Sequence, residues 1–168
     1  MELIEGRVEI GADRFGDVES FVSELADIGA EHDVTVQAFD ARYVVSRRHL
    51  ERAVEVADRE RSRGESIVRD RGIEITLYAA GRRQIDRAMN MGLSPGVTPV
   101  VVLLDGPGNE RAAAEHVGKR LEPDETLGQY DETRVRDFYD ITAIELGATE
   151  ADLEALVLER IALLVVER

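Results

Sequence analysis

Val97-Thr98-Pro99-Val100-Val101-Val102-Leu103-Leu104 runs into Asp105-Gly106-Pro107-Gly108-Asn109 and then into Glu110-Arg111-Ala112-Ala113-Ala114. The first stretch has the length of a strand and is apolar at nearly every position, a pattern that suits a strand covered on both faces. Gly-Pro-Gly is an emphatic turn, and a helix follows to about Lys119. A strand covered on both faces needs a layer on each side. The chain is therefore read as α/β (α+β): a small, mostly central sheet of about four strands surrounded by helices in a single domain, 1–168.

Towards the N-terminus, Leu3 to Ile10 alternates loosely and reads as a first strand. Asp17 then caps a helix with Val18, Phe21, Val22, Leu25 and Ile28 at helical spacing, and Gly29 reads as its stop. Val34 to Phe39 reads as a second strand, and Ser46 opens a longer helix whose stripe is Leu50, Ala53, Val54 and Ala57, ended by Gly64. Residues 65–80 fit two patterns. Ile73-Glu74-Ile75-Thr76-Leu77 alternates like a strand, while Val68, Ile75, Tyr78 and Ala79 fit a helix. Helix is preferred, because Gly81 and a new helical pattern closed by Gly92 follow at once. Towards the C-terminus, residues 121–129 read as a polar loop, and 131–139 and 142–146 as short helices. Thr149 with Asp152 reads as a capping box opening a last helix to about Val165.

The chain has 168 residues and no cysteine, which excludes disulfide scaffolds, thiolate zinc sites and cysteine nucleophiles. No apolar run has the length of a membrane span, and Met1 to Arg7 lacks the features of a signal peptide. A soluble, cytoplasmic protein with no membrane partner is expected. Acids outnumber bases 35 to 21, and of the bases all but Lys119 are arginine. That balance suits a cell with a very salty interior, where excess charge is screened. The acidity is uneven: Arg42 to Arg87 holds twelve arginines against eight acids. A basic stretch on an acidic body reopens the question of nucleic acid.

Most enzyme signatures are missing. Gly106-Pro107-Gly108 sits between strand and helix, where phosphates bind, yet it lacks the Lys and the Ser or Thr of a phosphate loop and reads as a plain turn. His32, His49 and His116 are far apart in sequence and suggest no metal or cofactor. Two segments break a local rule. Ser46-Arg47-Arg48-His49 places two arginines in the first turn of a helix, where acids are preferred by about 0.3–1 kcal/mol each. Gly81-Arg82-Arg83-Gln84 reads as doing the same. The arrangement suits an anion, on which dipole, N–H groups and guanidinium forks converge; the alternative is simple pairing with surface carboxylates. The segment Leu156 to Val166 is apolar on nearly every side, so it is either wholly buried or turned on one side towards a partner.

Three blocks carry a resemblance. They are Ala41 to Ala53 with its basic pair and His, Gly72 to Ile85 with its acid among apolar residues and then Gly-x-x-Gln-Ile, and the closing helix Leu158 to Leu164. Together they resemble, over about 41–166, the small tRNA-binding subunit of the KEOPS complex, known in animals as the PRPK-binding protein. The resemblance implies a compact α/β domain without a catalytic centre or cofactor, acting in threonylcarbamoyl-adenosine modification of tRNA. It implies as partners the kinase-like subunit, whose ATPase it stimulates, the single-stranded 3′ CCA end of tRNA and, indirectly, the other subunits. Arg47, Arg48, His49, Gly81, Arg82, Arg83 and Gln84 are then the expected tRNA-binding residues, with Tyr43 or Tyr78 as stacking candidates. Leu158, Ile161, Ala162 and Val165 are the expected kinase-facing ones. Two other readings stand beside it: a structural module that docks on the kinase without touching RNA, and a small-molecule or hydrolytic domain using the Gly106 turn. The marked acidity departs from less acidic members and points to a halophilic archaeon.

Overall fold

The computed structural model describes residues 1–11, 14–148 and 152–166. They form two compact units, each made of two chain segments: Met1–Ala41 with Gly92–Leu127, and Arg42–Met91 with Gly128–Arg168. The architecture is α+β. No helix is long and apolar enough to cross a membrane among the described residues.

The first unit holds the sheet. Strands β1 (Glu2–Ile10), β2 (Thr35–Asp40), β3 (Gly96–Asp105) and β4 (Glu122–Pro123) lie in the order β2-β3-β1-β4, every pair antiparallel. The apolar run is the inner strand β3, with Val102 opposite both Ile4 and Ala38. Its two faces are both buried, as the pattern demanded. Val100, Val102 and Leu104 join a core with Val8, Ile10, Phe21, Leu25, Ile28, Ala113 and Val117. Val101 and Leu103 on the other face are equally inaccessible. Helices α1 (Val18–His32) and α5 (Glu110–Gly118) supply the covering layer.

Two boundaries differ from the sequence reading. Gly29 does not stop α1, which continues to His32 and ends on Asp33 in the left-handed conformation (φ 55°). Glycine is needed at position 29 for another reason: a Cβ there would lie 2.6 Å from the Val34 carbonyl oxygen. Within the loop read as 121–129, Glu122 and Pro123 form the edge strand β4, pairing only with Arg7 and Gly6. Beyond it the Glu5 carboxylate accepts the N–H groups of Thr126 (3.0 Å) and Leu127 (2.7 Å), so the loop lies along β1 without extending the ladder.

The second unit is helical: α2 (Arg47–Ser62), α3 (Arg71–Ala80), α4 (Ile85–Ala88), α6 (Glu132–Phe138), α7 (Ala143–Ala148) and α8 (Leu153–Val166). The segment that fitted two patterns is helix α3. It is buried at Gly72 and from Glu74 to Ala80, so its apolar residues fill every side and mask the helical period. The helix read from Gly81 to Gly92 is reduced to the single turn α4 and a 3-10 turn at Met89–Met91. Thr149 lies outside the described residues, whereas Asp152 caps α8 by accepting the Ala155 N–H at 2.9 Å.

Glu74 is fully buried in this unit, and its carboxylate accepts the N–H groups of Ile67 (3.1 Å) and Val68 (2.9 Å). The carboxylate thereby fixes the connection between α2 and α3. Glu74→Gln puts an amide NH2 towards those donors, and charge-assisted bonds of this kind contribute about 1.5–3 kcal/mol. The expected result is a loss of about 2 kcal/mol in urea unfolding, with faster hydrogen exchange at Ile67 and Val68. Unchanged exchange at both amides would refute this role.

Candidate nucleic-acid interface and partner face

Helix α2 begins as its sequence suggests. Ser46 is extended, and its hydroxyl accepts the His49 N–H at 3.2 Å. The first turn then presents Arg47 and Arg48 with no acid beside them. Arg47 is half exposed and reaches Glu51 one turn on at 2.8 Å, a surface pair of the kind that contributes well under 1 kcal/mol. Arg48 is exposed. Arg48 in particular can therefore turn to an anion.

His49 is placed elsewhere. It is fully buried, sharing the inner face of α2 with Ala53 and Val56. Its Nδ1 accepts the Val45 N–H at 3.3 Å, and its Nε2 donates to the Ala79 carbonyl at 2.8 Å. These partners fit one neutral tautomer. Burial pushes the imidazole pKa down to about 4, against a smaller opposing effect of the Ala79 bond. The Tyr139 hydroxyl donates to the same carbonyl at 2.7 Å and lies 3.1 Å from Nε2. Its phenol is held neutral by burial. His49 is thus a positioning residue that ties the start of α2 to the end of α3, bringing the two arginine blocks to one end of the unit.

A series of rings continues from it. His49 meets Tyr139 (centroids 5.9 Å), Tyr139 meets Phe138 (5.0 Å), and Phe138 meets Tyr43 (5.2 Å), all edge to face. Tyr43 and Phe138 are half-buried and line an open groove of about 490 Å³ with Asn90, Asp131, Thr133, Arg134 and Asp137. Arg134 lies over Tyr43 and Arg82 over Phe138, each guanidinium carbon 5.6 Å from the ring centre. Of the two stacking candidates, Tyr43 reaches this groove, while Tyr78 is core.

The second arginine block is a loop that leads from α3 into α4, whose N-cap is Gln84, so only a single helical turn stands behind it. Gly81 takes the left-handed conformation (φ 62°) that closes α3, and a Cβ on it would lie 3.2 Å from Arg160 Cβ. Arg82 donates to the Phe138 carbonyl and pairs with Asp140 at 3.3 Å. Arg83 donates to the Leu164 carbonyl at 2.9 Å, at the end of α8. Gln84 is exposed, and its side chain makes no cap. Of the seven expected tRNA-binding residues, Arg47, Arg48 and Gln84 are exposed, while His49, Gly81, Arg82 and Arg83 lie deeper and hold the surrounding structure.

Helix α8 resolves the all-apolar segment into two faces. Leu153, Leu156, Val157, Ile161 and Leu164 are buried, with contacts to α2 and α3. Ile161, expected to face a partner, therefore points inward. Ala162, Leu163 and Val166 are exposed, and Leu158 and Val165 half-buried. This leaves an apolar strip beside Glu159. Arg160 locks the helix in place, forming a two-pronged pair with Glu145 (3.0 Å each) and donating to the Tyr139 carbonyl at 3.1 Å. The same pair holds the Glu145 carboxyl below its usual pKa.

Four N–H donors of the Gly106 turn and the start of α5 are already engaged. The Gly106 N–H goes to the Glu110 carboxylate (3.1 Å), that of Gly108 to the Asp33 carbonyl (2.9 Å), that of Asn109 to the His32 carbonyl (3.0 Å) and that of Ala112 to the Asn109 side chain (3.0 Å). A phosphate seated in the turn would compete with these bonds, which weighs against the small-molecule reading.

Sequence reasoning missed Phe138, Arg134 and the groove acids. Phe138 sits far from Tyr43 in sequence, and its one local sign is an aromatic pair, Phe138-Tyr139, closing a short charged helix. No curated protein matches the chain significantly. A family model described as Kinase binding protein CGI-121 matches residues 15–164, which include both arginine blocks, the ring series and most of α8. Over that extent the match shows that the chain belongs to the Kinase binding protein CGI-121 family.

Proposed function

We propose that this protein is the small, non-catalytic subunit of a KEOPS complex, in a cell with a salty interior. It holds the 3′ CCA end of tRNA for threonylcarbamoyl-adenosine synthesis, and it docks on and activates the kinase-like subunit. The observation that carries the RNA half is the groove at one end of the second unit. There Tyr43 and Phe138 line the groove as half-buried rings, and the paired arginines opening α2 lie at the same end. Single-stranded ends are gripped by such a combination of stacking and phosphate contact. Asp131 and Asp137 fit this reading as well, since cytosine and adenine both carry an exocyclic amine that a carboxylate accepts. In strong salt the Debye length is about 3 Å at 1 M, so direct contacts carry affinity and the overall charge matters little. The apolar strip of α8 supports the kinase half: Leu158, Ala162 and Val165 as expected, joined by Leu163 and Val166 in place of Ile161.

A second reading, docking without RNA contact, draws on the engagement of Arg82 and Arg83 with main-chain carbonyls. One experiment separates the two. Binding to a tRNA with and without its CCA is measured in concentrated KCl. The expected result is CCA-dependent binding that Arg48→Glu weakens about tenfold or more, one to two charge-assisted contacts being lost. Ala162→Glu, on the opposite activity, is expected to abolish co-purification with the kinase-like subunit and stimulation of its ATPase while leaving CCA binding intact. Equal binding of both tRNAs by a folded sample would remove the RNA half and leave the docking module.

A further inference from the structure

We infer that Glu31, His32 and His116 form a binding site for a divalent first-row transition ion, zinc foremost, in the first unit. His32 is the last residue of α1, and His116 lies in the last turn of α5. Two imidazole nitrogens and one carboxylate oxygen from these residues lie within 4.8 Å of one another. The rings meet edge to face at 5.7 Å, and His116 Nδ1 is 3.8 Å from Glu31 Oε2. Around a tetrahedral zinc, with bonds of about 2.0–2.2 Å, ligand atoms stand roughly 3.4 Å apart. The three therefore need to close by little more than 1 Å, within reach of side-chain rotation.

The backbone beneath them is already fixed. The His32 carbonyl accepts the Asn109 N–H at 3.0 Å, and the Asp33 carbonyl accepts that of Gly108 at 2.9 Å, clamping the end of α1 against the start of α5. Gly108 permits this closeness, since a Cβ there would stand 1.8 Å from the His32 oxygen. Both histidines are partly buried, which limits their rotamers, while Glu31 is exposed and can swing in. The donor set selects the ion. Two imidazoles and a carboxylate suit zinc, nickel or copper, and leave a fourth position for water; magnesium and calcium want oxygen ligands throughout. The carboxylate charge and the carbonyl end of α1 both favour a cation there. The site lies outside the arginine and ring cluster and is independent of the proposed RNA and kinase roles.

The test uses the whole chain, stripped with chelator and kept in concentrated KCl, titrated with Zn2+ and with Co2+ as a spectroscopic probe. One equivalent of Co2+ should bind with the visible absorption of tetrahedral coordination, unaffected by excess Mg2+. Zn2+ at a hundred times its Kd should raise Tm by about 5–10 °C. His32→Ala and His116→Ala should each weaken binding by about a hundredfold or more, and Glu31→Gln by about tenfold. His116→Gln keeps a polar side chain of similar reach and stands in should the alanine variant fold poorly. Binding that persists in the histidine variants, yields to Mg2+ or never saturates would overturn the site.

Discussion

Lowering the pH from 7 to 4 is expected to cost the fold about 3 kcal/mol through His49 alone. The imidazole is fully buried, neutral and doubly bonded, and its pKa falls from 6.5 to about 4. In the unfolded chain a histidine takes up its proton near pH 6.5. Between those two values the unfolded state binds a proton that the folded state refuses. Stability therefore rises with pH across the window, by up to about 1.4 kcal/mol per unit, and is level above it. Urea unfolding at a series of pH values in concentrated KCl reads this slope directly. His49→Leu should lose stability at pH 7, because it leaves the Val45 N–H unpaired, but its curve should be flatter between pH 6.5 and 4. A variant whose slope matches that of the parent in that window would show that His49 is not held neutral in the interior. The functional consequence comes from position: an unfolded or protonated His49 releases the start of α2, and with it Arg47 and Arg48.

Gly108→Ala is expected to be the most damaging single methyl in the first unit. Its Cβ would stand 1.8 Å from the His32 carbonyl oxygen and 2.7 Å from that of Asp33, both rigid backbone. Relief requires separating the turn from the end of α1, which breaks the two hydrogen bonds that join them. Overpacking alone costs about 1–3 kcal/mol, and two lost bonds add to it. A loss of at least about 3 kcal/mol corresponds to a Tm lower by about 6–12 °C in a protein of this size. Gly118→Ala is the matched control. That residue ends α5 with nothing within 4 Å of the added carbon, so the change should be neutral or slightly stabilising. Equal effects from the two substitutions would refute the steric argument.

The parts of this fold that were legible in the sequence are those where one local pattern has one solution. The run Val97 to Leu104 reads as an inner strand and is one, and Ser46 followed by a stripe at Leu50, Ala53 and Ala57 reads as a helix start and is one. Where a segment is buried on all sides the period vanishes, and Ile73 to Leu77 offers a false alternation inside α3. The two arginine blocks look alike in sequence. They differ in the length of helix downstream: sixteen residues after Ser46, but only four after Gln84. His49 sits in register with Ala53 and Val56, so its burial was readable from spacing, although its acceptor at Ala79 was not. The groove was the least legible, since Tyr43 and Phe138 meet only after the chain has passed through six intervening α-helices and strands.

The β4 edge of the sheet bears on how the molecule behaves in company. Concentrated salt removes the mutual repulsion that keeps acidic proteins apart, so an acidic protein in such salt must limit sheet-to-sheet growth by shape instead. Strand β4 meets that need. It is two residues long and ends in Pro123, which has no N–H to donate to a neighbour. The segment after it is held to β1 through the Glu5 side chain, at a position where an incoming strand would need main-chain partners. On this margin an incoming strand therefore finds few main-chain partners.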